Sequence, residues 1–111
     1  MRRPGLLAAC CLLLLVLGGQ VGADELADMI ARAEAGDMID QADLAKAYYF
    51  GNGAPQDYKQ AYIWYSVAAD QGFDEAANRR DKCATKLEPA DLEQAKAEAE
   101  ALKKRLGQAN H

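Results

Sequence analysis

Residues 44–76 read LAKAYYFGNGAPQDYKQAYIWYSVAADQGFDEA. Leu44 and Tyr48 stand four apart, so on a helix they share a face. Gly51 and Gly53 then interrupt the chain, and Asn52-Gly53 is turn chemistry. Asp57, with Gln60 three positions on, has the form of a capping box that opens a second helix at Tyr58, and Pro55 helps fix the turn before it. That helix carries Ala61, Trp64, Tyr65, Ala68 and Ala69, and Gly72 stops it. Two amphipathic helices joined by a glycine-rich loop predict an antiparallel helix hairpin.

The flanks read in the same way. Leu26, Met29, Ile30 and Ala33 make one apolar stripe over residues 24–35, with Asp24 placed to cap its start and Gly36 to end it. A second helix is expected over residues 40–50, with Leu44, Ala47 and Tyr48 inward. The third is the Tyr58 helix. A fourth is expected over residues 73–87. A fifth runs over residues 89–106, with Pro89 at its first position. In the fifth, Leu92, Ala95, Ala99, Leu102 and Leu106 step by three and four, a heptad seam. It is read as a lid folded back on the open end of the stack, with a seam for another helix as the alternative. No stretch alternates as a strand would, so the fold class is all-α. Gly36 and Gly72 lie 36 residues apart, as do Ala33 and Ala69. The first helix therefore reads as the second half of a preceding repeat, and residues 73–87 as the first half of a following one.

The order of residues from Leu44 to Ala76 resembles the Sel1-like repeat, a relative of the tetratricopeptide helix hairpins. The resemblance covers about a third of the chain. It implies a short α-solenoid of antiparallel helix hairpins, with one full repeat flanked by half repeats and a C-terminal capping helix. The expected organisation is a signal peptide over 1–23, a repeat region over 24–88, and a C-terminal helix and tail over 89–111. Three positions depart from the family pattern: Ala45 stands where glycine is usual, Ala54 where valine is usual, and Asp40 where alanine is usual. Repeats of this kind hold partners rather than transform them. Some secreted relatives pair cysteines within each repeat and have been linked to β-lactam chemistry, but this chain has no such pairs. The resemblance thus implies a non-catalytic adaptor for protein partners. A binder of an envelope ligand such as peptidoglycan, or an enzyme accessory, is the alternative. A cleft with convergent polar groups would favour that alternative, and a flat groove the adaptor.

The amino terminus bears on compartment. Arg2 and Arg3 precede an apolar run from Leu6 to Leu17, and Val21-Gly22-Ala23 has small residues at the −3 and −1 positions of a cleavage site. This is the form of a secretory signal peptide cleaved after Ala23, giving a periplasmic or secreted protein. The run is shorter than the roughly 20 apolar residues of a membrane span, so no stable span is expected after cleavage, although retention as an anchor is the alternative. Leu7-Ala8-Ala9-Cys10 has the residues of a lipoprotein box, but too few apolar residues precede it. The chain has 13 basic and 17 acidic residues, a net charge of −4, and loss of Arg2 and Arg3 makes it more acidic. That balance argues against nucleic acid. Of three cysteines only Cys83 lies beyond the leader, so no internal disulfide is expected. Cys83 reads as a buried small hydrophobe, with a disulfide between chains as the alternative. A homo-oligomer would form through Cys83 or the C-terminal helix.

Catalysis finds little footing. The one histidine is the terminal residue, His111, and histidine is the commonest general base and metal ligand. No enzyme activity, metal or cofactor is expected. All eight aromatic residues lie between Tyr48 and Phe73, and Trp64 takes the position that joins the hairpin to the neighbouring half-repeat. Tyr49, Phe50 and Ile63 are apolar where the family tends to be polar, and Tyr49 shares a face with Ala42 and Lys46. Lys46, Tyr49, Phe50 and Ile63 are accordingly either packing residues under the outer helices or an exposed partner surface.

Overall fold

The computed structural model describes residues 24–107. The leader and His111 fall outside the described residues. Five helices account for most of what is described, with no strand: α1 over 24–34, α2 (Met38–Phe50), α3 (Tyr58–Asp70), α4 (Asp74–Ala84) and α5 (Pro89–Arg105).

Each boundary has a local cause. α2 opens two residues before the expected point because the Asp37 carboxylate accepts hydrogen bonds from the Ile39 and Asp40 amides, at 2.8 and 3.1 Å. This satisfies two of the four orphan donors at a helix start. Asp57 does the same for Lys59 and Gln60 at α3. Only half of the expected capping box forms. The Asp57 amide donates instead to the Tyr48 carbonyl at 2.8 Å, which ties the start of α3 to the end of α2. α4 is shorter than expected at its carboxyl end. After Ala84 the chain makes tight turns through Thr85, Lys86 and Leu87, because Pro89 two residues further on cannot continue a helix. Gly36 and Gly72 have φ of 109° and 102°, values that only glycine adopts without strain. The 36-residue echo is therefore a repeated backbone conformation as well as a repeated letter.

α3 is the centre of the molecule and packs against α2, α4 and α5. From Ala61 to Ala68 every residue is buried, including Tyr62, Trp64, Tyr65 and Val67. The core adds Leu44 and Ala45 from α2, Ala76 and Cys83 from α4, and Ala95 and Ala99 from α5. Gln41 is also fully buried. Its amide donates to the Ala33 carbonyl at 3.0 Å and its oxygen accepts from the Gln71 amide at 2.6 Å. One polar side chain thus joins the ends of α1 and α3 across α2.

The last helix departs from regular hairpin stacking. α5 runs along α3 rather than pairing with α4. Lys59 meets Gln94 and Glu98, Lys103 meets Asp70, and Arg105 meets Glu34 of α1 at 3.1 Å. The heptad seam faces inward: Ala95 and Ala99 are buried, and Leu92, Leu102 and Leu106 pack against the core. This corrects the alternative of a seam for a second chain, since the same residues cover α3. Cys83 is buried and free, which likewise removes it as an exposed link between chains. No helix among the described residues is long and apolar enough to cross a membrane.

Candidate functional site

Two of the concavities among the described residues are lined by the aromatic residues of the hairpin. The first is a groove of about 140 Å³ between α2 and α4, with α3 as its floor. Its α2 wall carries Ile39, Ala42 and Lys46, its α4 wall Ala76 and Arg79, and Phe73 closes it at the α4 start. Tyr65 reaches it from α3. Helical spacing explains the α2 wall: residues 39, 42, 43 and 46 fall on one stripe, opposite the buried Leu44. Ile39 is half exposed on the rim.

The charges of the groove balance. Lys46 and Arg79 face Asp43 and Glu75, and Arg79 is joined to Glu75 at 3.1 Å. That pair is an exposed i,i+4 bridge, a type that contributes at most a few tenths of a kcal/mol, about 0.3–0.5. Tyr65 is 1% exposed, and its hydroxyl has no well-formed hydrogen bond among the described residues, with the Arg79 guanidinium close enough for a weak one to its oxygen. Burial pushes its ionisation up, and the nearby Arg79 guanidinium partly opposes that shift. The phenol is therefore neutral at physiological pH and able to donate.

The second concavity, about 430 Å³, lies between α1, α3 and α5. Ile30, Tyr48, Trp64 and Leu102 form its apolar part, and Glu34 and Arg105 stand at its edge. Trp64 is only 5% exposed, and it touches the space between the full repeat and the helices on either side. Tyr48 here has its ionisation raised by burial and then by the Asp57 carboxylate. Around Cys83, burial pushes the thiol up to about 11, far from the range of a nucleophilic cysteine. No group of three or more histidine, cysteine or acidic side chains able to hold a metal occurs among the described residues.

The four residues singled out in the sequence do not form one surface. Ile63 is 3% exposed and belongs to the core, because α3 is enclosed on several sides. That corrects its place in an exposed patch. Lys46 is exposed but lines the α2–α4 groove, which Tyr49 and Phe50 do not. Tyr49 is half-buried. Its ring packs edge-on against Phe50 at 4.8 Å and Tyr58 at 5.2 Å. Phe50 is 59% exposed. On the other side of this cluster, Lys86 lies over the Tyr58 ring at 5.6 Å. The sequence reading missed Ile39, Phe73, Tyr65 and Arg79 as groove residues. The 3.6-residue period links Ile39 to Lys46, but only the packing of α4 brings in Phe73 and Arg79.

Residues 40–73 match the family model for the Sel1 repeat. The matched segment begins in the first turn of α2, contains all of α3 and ends at the residue that caps α4. No curated protein and no solved structure matches the chain. The chain carries a Sel1-like repeat built into a short all-α helical stack.

Proposed function

We propose that this Sel1-repeat chain works as a non-catalytic protein-interaction module in the periplasm or outside the cell. Sel1 repeats generally mediate protein–protein contact, and the observation that carries the reading is the matched hairpin itself. It is present with both helices, its connecting loop and its glycine stops, and α4 behind it forms the second wall of a groove. The extracytoplasmic address rests on Arg2, Arg3, the Leu6–Leu17 run and Val21-Gly22-Ala23. Amino-terminal sequencing of the exported protein tests it: the expected first residue is Asp24, and a lipid-modified Cys10 or a chain beginning at Met1 would refute it.

A photoreactive side chain at position 39 or 50, followed by mass spectrometry of the crosslinked envelope, tests the interaction reading. A discrete protein adduct that disappears when the repeat is unfolded is expected. Crosslinks to glycan alone would favour the envelope-ligand reading, for which the polar-edged Trp64 cleft is the observation in hand. Absence of any adduct from either position would overturn the interaction surface.

A further inference from the structure

We propose that a second copy of this chain docks on the outer face of α2, the two helices lying antiparallel across a twofold axis. This deepens the interaction reading above by naming one partner, and it rests on that reading. Four residues of α2 are exposed: Ile39, Asp43, Lys46 and Phe50. The remaining residues of the helix are buried or half-buried. The four exposed positions step by four, three and four, so they lie on one face. Ile39 and Phe50 are the large hydrophobic residues that the described part of the chain exposes. Asp43 and Lys46 between them form no ion pair with any described residue. Single exposed hydrophobics are ordinary, but two on one stripe with free charges of opposite sign between them form a patch that a partner can cover.

The stripe is its own complement when read backwards. A twofold contact places residue i against residue j and j against i. With the axis crossing α2 between Leu44 and Ala45, Ile39 meets the partner's Phe50 and Asp43 meets the partner's Lys46, and each contact occurs twice. Both halves of the match stand on one chain, which is why the occupant is a second copy. A parallel arrangement would set Asp43 against Asp43 and Lys46 against Lys46, and like charges face to face are unfavourable. Steps of four and three are those of a heptad seam, which suits helices crossing at about 20°. Ala42, beside the stripe on the wall of the α2–α4 groove, leaves room for the partner's backbone to approach. The Phe50 ring already packs edge-on against Tyr49 at 4.8 Å, so it loses little freedom when it docks. The 13 residues of α2 span about 20 Å, which puts the contact at the low end of interface sizes, under about 1,200 Å². The dimer is therefore a weak one, in exchange with monomer between about 1 µM and 1 mM chain.

The test is sedimentation of the purified exported protein over about 1 µM to 1 mM chain. The average mass is expected to rise from one chain to two. Asp43→Lys and Lys46→Asp each turn two attractive pairs into two repulsive ones, and each should weaken the dimer at least about tenfold. The two substitutions made together rebuild both pairs with the signs exchanged and should restore it. The two single variants, mixed, should form a mixed dimer more stable than the dimer of either alone, read by native mass spectrometry. All of these positions are exposed, and circular dichroism melts check that each variant is folded. A parent that stays a single chain up to about 1 mM, single swaps that dimerise as the parent does, or a mixture without mixed dimers would each overturn the α2 contact. A protein that stays single yet gives an envelope adduct from position 39 or 50 loses the dimer and keeps the interaction reading. One that dimerises through these pairs and gives only adducts of two chains keeps the dimer and loses the foreign partner.

Discussion

Tyr65→Phe should stabilise the folded protein. The substitution deletes a single oxygen from a side chain that is 1% exposed, and the ring with all its packing against Leu44, Ala76 and the rest of the core stays. The deleted hydroxyl makes no well-formed hydrogen bond among the described residues, whereas in the unfolded chain it is hydrated. Burying such a group without a hydrogen bond costs about 1–3 kcal/mol in proteins. Part of that cost is already offset by the weak hydrogen bond that Arg79 can give to the phenol oxygen, so the net gain on deletion is about 1 kcal/mol. For a domain of this size, that is a rise of about 4–8 °C in midpoint temperature. Urea unfolding followed by circular dichroism measures it: the midpoint should move up and the slope should stay, because the surface exposed on unfolding is unchanged. A fall of about 1 kcal/mol or more would refute the reasoning. It would mean that the hydroxyl accepts a sound hydrogen bond in solution from the Arg79 guanidinium.

Trp64→Ala should cost about 3 kcal/mol, the lower part of the range for a large aromatic, since one edge of the ring borders the α1–α3–α5 cleft rather than packed atoms. A thermal melt that does not move would refute its place in the core. Leu44→Ala, at a fully buried site, should cost about 2–5 kcal/mol, whereas Phe50→Ala should stay within about 0.5 kcal/mol. Comparing partner capture and melting temperature for the two separates surface from core. Cys83 should resist thiol reagents at pH 8 until the protein is unfolded, because burial holds its thiol up to about 11. Since that value lies above the usual thiol range near 8.5, its contribution to stability is complete below pH 8.5 and is lost as pH rises toward 11. Stability that holds level through that window would count against the buried thiol.

The hairpin was legible in the sequence because its signals are local. Gly51, Asp57 and Gly72 act on their immediate neighbours, and Leu44, Trp64 and Tyr65 repeat at the period of the helix. Gln41 was not legible. A glutamine in a helix reads as solvated, and only the stacking of α1 and α3 on either side makes its position interior. Ile63 misled for a related reason: α3 is covered by three helices, so most of its circumference is core and the side that carries Ile63 is not free. The path of α5 was half legible. Its seam predicts burial on one side, but alanines at 95 and 99 fit against any smooth helix, so the choice of α3 over α4 lies in tertiary contacts. The groove was least legible, since its walls come from α2 and α4 and its cations are separated by the whole of α3.

The way α5 is attached ties the molecule to its ionic surroundings. Its seam has two buried alanines at its centre, flanked by Leu92, Leu102 and Leu106, which are only partly buried. Near the surface, three ion pairs add to that apolar hold: Lys59 to Glu98, Lys103 to Asp70, and Arg105 to Glu34. Pairs of this kind weaken as dissolved salt shortens the Debye length from about 10 Å at 0.1 M to about 3 Å at 1 M. Helix α5 is therefore the element whose edges respond most to ionic strength, by about 0.2–1 kcal/mol per pair, while the hairpin beneath it is held by aromatic burial. At the rim of the Trp64 cleft, the Arg105–Glu34 pair that joins α5 to α1 is thus the contact that added salt weakens first.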